Sequence, residues 1–226
     1  MSETRDDNRQ PSTVDTLLAA GLAGLAGLVR IIPHPFNMTP LNAMGLFGGA
    51  RLPARWALTL PLAVMVASDL VIWQLKQWPP FNPFVYGSFV LSVLLGRLLT
   101  RIDLDWKVAA ATLACSLQFF LITNFGVWLG ASDRPDRIPS GDAFVYDTES
   151  PYAYPLIRYA RTPTGLLACY AHGLSFSEVD RAKAWPFGFF GNLLAGDLFF
   201  SGMLFGAHAL LTRRFSQPAV ARAPSG

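Results

Sequence analysis

Several side chains able to do chemistry lie inside or at the ends of the most apolar stretches of this chain. They are Arg30, His34, Asp69 and Asp197, with Asn37, Asn42, Asn124 and Asn192 nearby. A charge or amide in lipid is costly, so such groups face one another, a cavity or a ligand. Trp73 stands one helical turn from Asp69 and Trp128 one turn from Asn124, so each polar group has an aromatic neighbour on its own face. Apolar walls with a few polar anchors make small-molecule pockets, and the ten residues Arg30, His34, Asn37, Asn42, Asp69, Trp73, Asn124, Trp128, Asn192 and Asp197 form the candidate binding set. Arg30 favours an anionic ligand, whereas the two aspartates favour a cation or amine. Two blander readings stand beside this one. Arg30 can pair with Asp69 or Asp197 to hold a bundle together, and the tryptophans, with Trp78, Phe81 and Tyr86, can belong to an aromatic belt at a membrane interface. His34, between Pro33 and Pro35, suits a turn; a lone histidine is weak evidence for a metal, and no metal or cofactor is expected.

Acid/base work is the alternative for the same groups. Asp69, Asp197 and His34 could serve a membrane-embedded enzyme acting on a lipid or isoprenoid head group, and a structural or assembly subunit is a third option. No GxSxG elbow, HExxH site, phosphate-cradling Walker loop or GxGxxG fingerprint occurs in the chain. Energy for any active transport must then come from a partner or a gradient.

The elements that position these groups follow from composition. Of 226 residues, 52% are hydrophobic and 15% charged, against roughly 25% charged in an average soluble domain. The apolar residues form blocks close to the roughly 20 residues needed to cross a bilayer: Val14–Ile32, Trp56–Leu75, Pro83–Thr100, Val108–Leu129 and Pro186–Leu211. A further run, Leu41–Ala50, is too short for an upright span; it either crosses while buried among other helices or re-enters. The expected fold is all-α, a polytopic membrane bundle of about six helices, plus a short helix in the long outer loop around GLLACYAHGLSF. Residues 1–13 read as a disordered cytoplasmic tail, 14–212 as the membrane domain with its outer loop at 131–185, and 213–226 as a second cytoplasmic tail. The first part of that outer loop, rich in Pro, Asp, Ser and Tyr, shows no period and reads as irregular.

Charge sets the orientation. If Leu41–Ala50 crosses, one side receives Arg5, Arg9, Arg51, Arg55, Arg97, Arg101, Lys107, Arg213, Arg214 and Arg222, and the other only Arg30 and Lys76 outside the long loop. By the positive-inside rule both termini are cytoplasmic. The sequence pI of about 9.1 reflects this placement beside lipid head groups rather than a nucleic-acid surface. In the first block Ala19, Ala23 and Gly27 recur at every fourth residue, so another helix can approach closely, either within this chain or from a docking partner. Cys115 and Cys169 have no metal-ligand spacing and read as small packing residues.

The runs RIIPHPFNMTPLNAMGLFGGAR, LITNFGVWLG, TGLLACYAHGL and LLAGDLFFSGMLFG resemble a family of uncharacterised bacterial multi-pass membrane proteins, from about Arg30 to Gly206. In layout that family is similar to the substrate-binding S-components of energy-coupling-factor vitamin transporters. The resemblance implies the bacterial cytoplasmic membrane, six helices, an outward ligand pocket capped by loops, and a small-residue first helix that docks a transmembrane coupling protein with ATPase subunits. The stretch Ser132–Arg161 is longer than usual for the family, so the cap over the pocket is expected to differ here.

Overall fold

A computed structural model describes residues 12–76, 80–99, 106–130, 138–147, 156–175 and 186–215. The described chain is mostly helical: α1 Thr13–Val29, α2 Leu41–Arg51, α3 Ala54–Ala57, α4 Thr59–Lys76, α5 Pro83–Leu98, α6 Trp106–Gly130, α7 Pro163–Ser175 and α8 Gly188–Phe215. Three segments are long and apolar enough to cross a membrane, Ala54–Leu75, Trp106–Gly130 and Gly188–Phe215, while α1 and α5 are shorter apolar helices. Large apolar side chains such as Leu25, Leu94, Leu117, Phe199 and Met203 lie on the outside of the bundle. An exposed apolar coat of this extent needs a lipid or protein partner, and together with the helix lengths it makes this a membrane-associated helical bundle.

The expected blocks are found with local shifts. Val14–Ile32 ends earlier, at Val29, and Trp56–Leu75 is divided by a break at Leu58. The last block runs on to Phe215, so the helix extends into residues 213–215. Capping explains two starts. Ser12 Oγ accepts from Asp15 N at 3.1 Å while Asp15 Oδ2 accepts from Ser12 N at 3.3 Å, a reciprocal box opening α1. Asn82 Oδ1 accepts from Phe84 N and Val85 N, and Pro83 follows at the first helical position, where its missing N–H costs nothing.

The shortest of the apolar helices is the centre of the molecule. Residues Leu41–Ala50 of α2 are all buried, wrapped chiefly by α5, α8 and α1. At about 1.5 Å per residue its 11 residues reach roughly 16 Å, about half a hydrocarbon core. Small residues let α5 close on it: a Cβ on Gly49 would stand 2.1 Å from the Val93 carbonyl oxygen, and one on Gly96 would stand 2.2 Å from that of Leu46. Arg97 of α5 donates to the carbonyls of Gly49 and Leu52, which the end of α2 leaves without helical partners.

The small face of α1 is filled from within. Ala19 and Ala23 have no exposed surface, Gly27 is buried, and a Cβ on Gly27 would collide with Val64 of α4. Of the two uses expected for Ala19, Ala23 and Gly27, the described residues display packing within the chain, where α2, α4 and α8 lie against α1.

The long connection between α6 and α8 holds more structure than its composition promised. Phe144–Asp147 (β1) and Leu156–Tyr159 (β2) pair antiparallel, Phe144 opposite Tyr159 and Val145 opposite Arg158. The short helix expected after it is α7, but it packs against α6 and α8 with Gly165, Cys169 and Gly173 buried, rather than only resting on a membrane surface. His172 of α7 pins the hairpin: its ring stands 4.5 Å from that of Phe144, and Nδ1 lies 3.2 Å from the Tyr159 hydroxyl. Burial raises the Tyr159 phenol above its ordinary ionisation range and pushes the Cys169 thiol up to about 11, so neither supplies an anion near neutral pH.

Candidate functional site

The ten candidate residues separate into three groups. The first is an ion pair. Arg30, at the end of α1, places Nη2 2.6 Å from Asp69 Oδ1 of α4, with the two side chains 10% and 12% exposed. Arg30 Nη1 also donates to Ser68 Oγ and to the Met65 carbonyl, and Tyr86 of α5 donates its hydroxyl to Asp69 Oδ2 at 2.9 Å. Each charge is thus answered within the protein. This is the internal pairing weighed against the pocket, and it ties α1, α4 and α5 together. Trp73 does not line a pocket with Asp69, because it is 41% exposed on the outside of α4.

A second group fastens one end of the bundle through backbone. Asn37, at φ 64° in the left-handed region that Asn tolerates better than most residues, donates to the Phe189 carbonyl. Asn192 Nδ2 donates to the Phe36 carbonyl, its Oδ1 accepts from Phe187 N, and the rings of Phe36 and Phe189 stand 5.6 Å apart. The proline-bearing segment before α2 is therefore bolted across the start of α8, with Met38 against Gly196. His34 Nδ1 lies 3.1 Å from the carbonyl of its own neighbour Pro35, as a turn residue does. Asn124 donates to the Phe120 carbonyl, and its side-chain oxygen lies where Gly173 of α7 makes its close approach. Trp128 Nε1 donates to the Ala160 carbonyl, joining α6 to the end of the hairpin.

The third group joins Asn42 and Asp197 deep in the core. Asp197 of α8 has no exposed surface. Its Oδ2 accepts from Asn42 Nδ2 of α2 at 2.9 Å and from Ser116 Oγ of α6 at 2.7 Å. Asn42 Oδ1 accepts from Ser92 Oγ of α5 at 3.1 Å, and Gln118 Nε2 donates to Ser92 Oγ and to the Ser88 carbonyl. Three helices therefore meet at the carboxyl group, and Ser92 brings in a fourth, α5, through Asn42. Asp197 Oδ1, Gln118 Oε1 and Ser201 Oγ, one turn beyond Asp197, are buried without a hydrogen-bond partner among the described residues. Buried polar groups are rarely left so, and each such atom asks for an explanation.

Sequence reasoning missed Ser92, Ser116, Gln118 and Ser201. Serine in an apolar helix can satisfy its hydroxyl on the carbonyl four residues back, as Ser116 can on Thr112, and so signals little by itself. The available signal was spacing: Ser88 and Ser92, Thr112 and Ser116, and Asp197 and Ser201 each recur at one helical turn. At the other end, His208 was also passed over. Its Nε2 is buried without a hydrogen-bond partner among the described residues, Phe47 stands at 5.7 Å, and the guanidinium of Arg51 lies 5.3 Å above the Phe205 ring.

The fold and site together define a membrane-associated helical bundle built round a buried carboxyl network. The chain belongs to DUF6580, a family of unknown function, which it matches over residues 10–220. No curated protein and no solved structure matches it.

Proposed function

We propose that this is a transport protein of the bacterial cytoplasmic membrane, a bundle of about six crossings with both termini in the cytoplasm, that takes a small solute from outside. One observation carries the reading: the network of Asn42, Ser92, Ser116 and Asp197, on four different helices, sits in the interior of a bundle whose outer surface is apolar. Polar groups are costly there and mark solute or ion pathways by default. The proline-bearing segment that carries Asn37 and Met38 lies across the start of α8, with Met38 beside Gly196, the chain neighbour of Asp197, in keeping with the capped outward pocket of an S-component-like layout. The further S-component feature, a first helix docking a coupling protein with ATPase subunits, draws no support from Ala19, Ala23 and Gly27, since α4 and its neighbours occupy that face. The enzyme reading is weaker, because His34, Asp69 and Asp197 share no hydrogen-bond partner and do not converge on one reacting position.

The test is native mass spectrometry of protein purified gently in lipid nanodiscs, comparing the natural chain with Asn42→Ala and Ser92→Ala. The expected result is a retained small molecule that both substitutions release. A natural chain that carries nothing, and takes up nothing from a solute library in vesicles, would sink the reading.

A further inference from the structure

The two oxygens of Asp197 are treated differently by the fold. Oδ2 receives two hydrogen bonds, whereas Oδ1 is buried and no donor among the described residues reaches it. An ionised carboxylate in such a place needs a compensating positive charge, since neutral donors repay only part of its desolvation. No side chain among the described residues supplies that charge. Facing Asp197 from α2 is Asn42, and from α6 come Ser116 and the Cys115 thiol, which lies close enough to feel its charge. The ionisable residues of α1 sit at its two ends, Asp15 within reach of His208 and Arg30 on Asp69. On α7, His172 is engaged with Tyr159. Among the described residues no Lys, Arg or His lies against the carboxyl group.

What remains is a small cation from outside the chain. A metal ion of the hard kind needs several oxygen ligands at once. Here Asp197 is the one carboxylate in the network, and no cluster of three His, Cys, Asp or Glu side chains occurs among the described residues. The surrounding helices are also close-packed, with α2 and α5 in backbone contact at Gly49 and Gly96. A proton is the cation that fits without displacing anything. The two donors turned on Oδ2 serve it as the carbonyl oxygen of the protonated acid and hold it more strongly as a carboxylate, so both states are accommodated. One oxygen is thus held in both states and the other left bare for the proton.

We propose that Asp197 is a proton-carrying carboxyl group that couples solute passage to proton movement. The proton sits on Oδ1 in the closed bundle. When the network opens, the Oδ1–H bond breaks, the proton passes to water on one side of the membrane, and the carboxylate is held by Asn42 and Ser116 until a proton from the other side restores the bond. No oxidant, reductant or bound group is required. This deepens the transport reading and rests on it, by making a proton gradient the energy source.

Infrared difference spectroscopy on the full chain in lipid vesicles tests the site through the proton alone, with no solute present. The expected result is a protonated-carboxyl carbonyl band that disappears reversibly as pH rises, accounts for one proton per chain, and is missing in Asp197→Asn. Ser116→Ala, which removes one donor from the carboxylate form, should move the midpoint of that loss upward by about one pH unit or more, the equivalent of roughly tenfold in proton affinity. The conservative Asp197→Glu variant should keep a titrating band at a shifted frequency, so the test survives if Asp197→Asn does not fold. Identical spectra for the natural chain and Asp197→Asn would overturn the proposal. So would an Asp197 band that persists unchanged until the protein unfolds, which marks a permanently neutral packing group. Solute uptake into vesicles that is indifferent to an imposed pH gradient would overturn the coupling while leaving the transport reading standing.

Discussion

Removing one charge from the Arg30–Asp69 pair should damage stability. Asp69→Asn keeps the size of the side chain and the hydrogen bond from Tyr86, but leaves the Arg30 guanidinium, nine-tenths buried, with only the Ser68 hydroxyl and the Met65 carbonyl. Breaking a buried pair by removing one partner costs about 3–5 kcal/mol. Because both side chains retain some exposure near a helix end, we expect the lower part of that range, about 3 kcal/mol, or roughly 6–12 °C in Tm for a chain of this size. Arg30→Met combined with Asp69→Asn removes the orphaned cation and should recover more than half of the loss, since a buried pair and an apolar replacement of similar volume are often close in free energy. The assay is thermal unfolding of the natural chain, both single variants and the double variant in the same detergent, read as a double-mutant cycle. An Asp69→Asn variant as stable as the natural chain, or single effects that simply add, would refute the ion-pair reasoning. Unchanged stability with loss of a retained solute would return Asp69 and Arg30 to the binding site.

Glycine substitutions should separate by what the new methyl group meets. Gly49→Ala and Gly96→Ala drive Cβ into backbone and should cost at least the ~1–3 kcal/mol typical of overpacking, whereas Gly21→Ala, with nothing within 4 Å, should be neutral or stabilise by up to about 1 kcal/mol in a thermal melt. Ala23→Leu should lower the yield and melting temperature of the isolated protein, because position 23 is buried within the chain; a well-folded variant that merely lost a co-purifying partner would count against internal packing. A topology reporter fused after Gly226 should report the cytoplasm and one inserted near Gly141 the opposite side; reporters on the same side would contradict six crossings.

Which parts were legible in the sequence depended on whether a signal was local. Apolar blocks of spanning length are local, and α1, α4, α5, α6 and α8 were found to within a few residues. The β1–β2 hairpin was not, because its strands of 4 residues each take their order from pairing across a gap and from His172, neither of which leaves a periodic trace nearby. The cost of burying charge identified Asp69 and Asp197 as special, yet it could not say which had a cation. That turned on Arg30 at the end of α1 meeting α4 rather than α8, a matter of helix arrangement. Asn42 was recognised as polar in an apolar run, but its joining Asp197 across 155 positions depended on α2 lying at the centre. The serines of the network stayed invisible because a hydroxyl alone costs little in a helix.

The centrality of α2 also bears on how the chain is made. A segment of 11 residues containing four that are Gly or Asn has too little apolar length to hold a place across a bilayer before its neighbours arrive. Helices α5 and α8, which cover it, are synthesised later, α8 last of all. If the bundle inserts as it is made, α2 is expected to reach its central place only once α5 and α8 have been added. Ribosome-bound chains truncated before Gly188 should leave residues 41–51 open to labelling from water, and release of the full chain should close them.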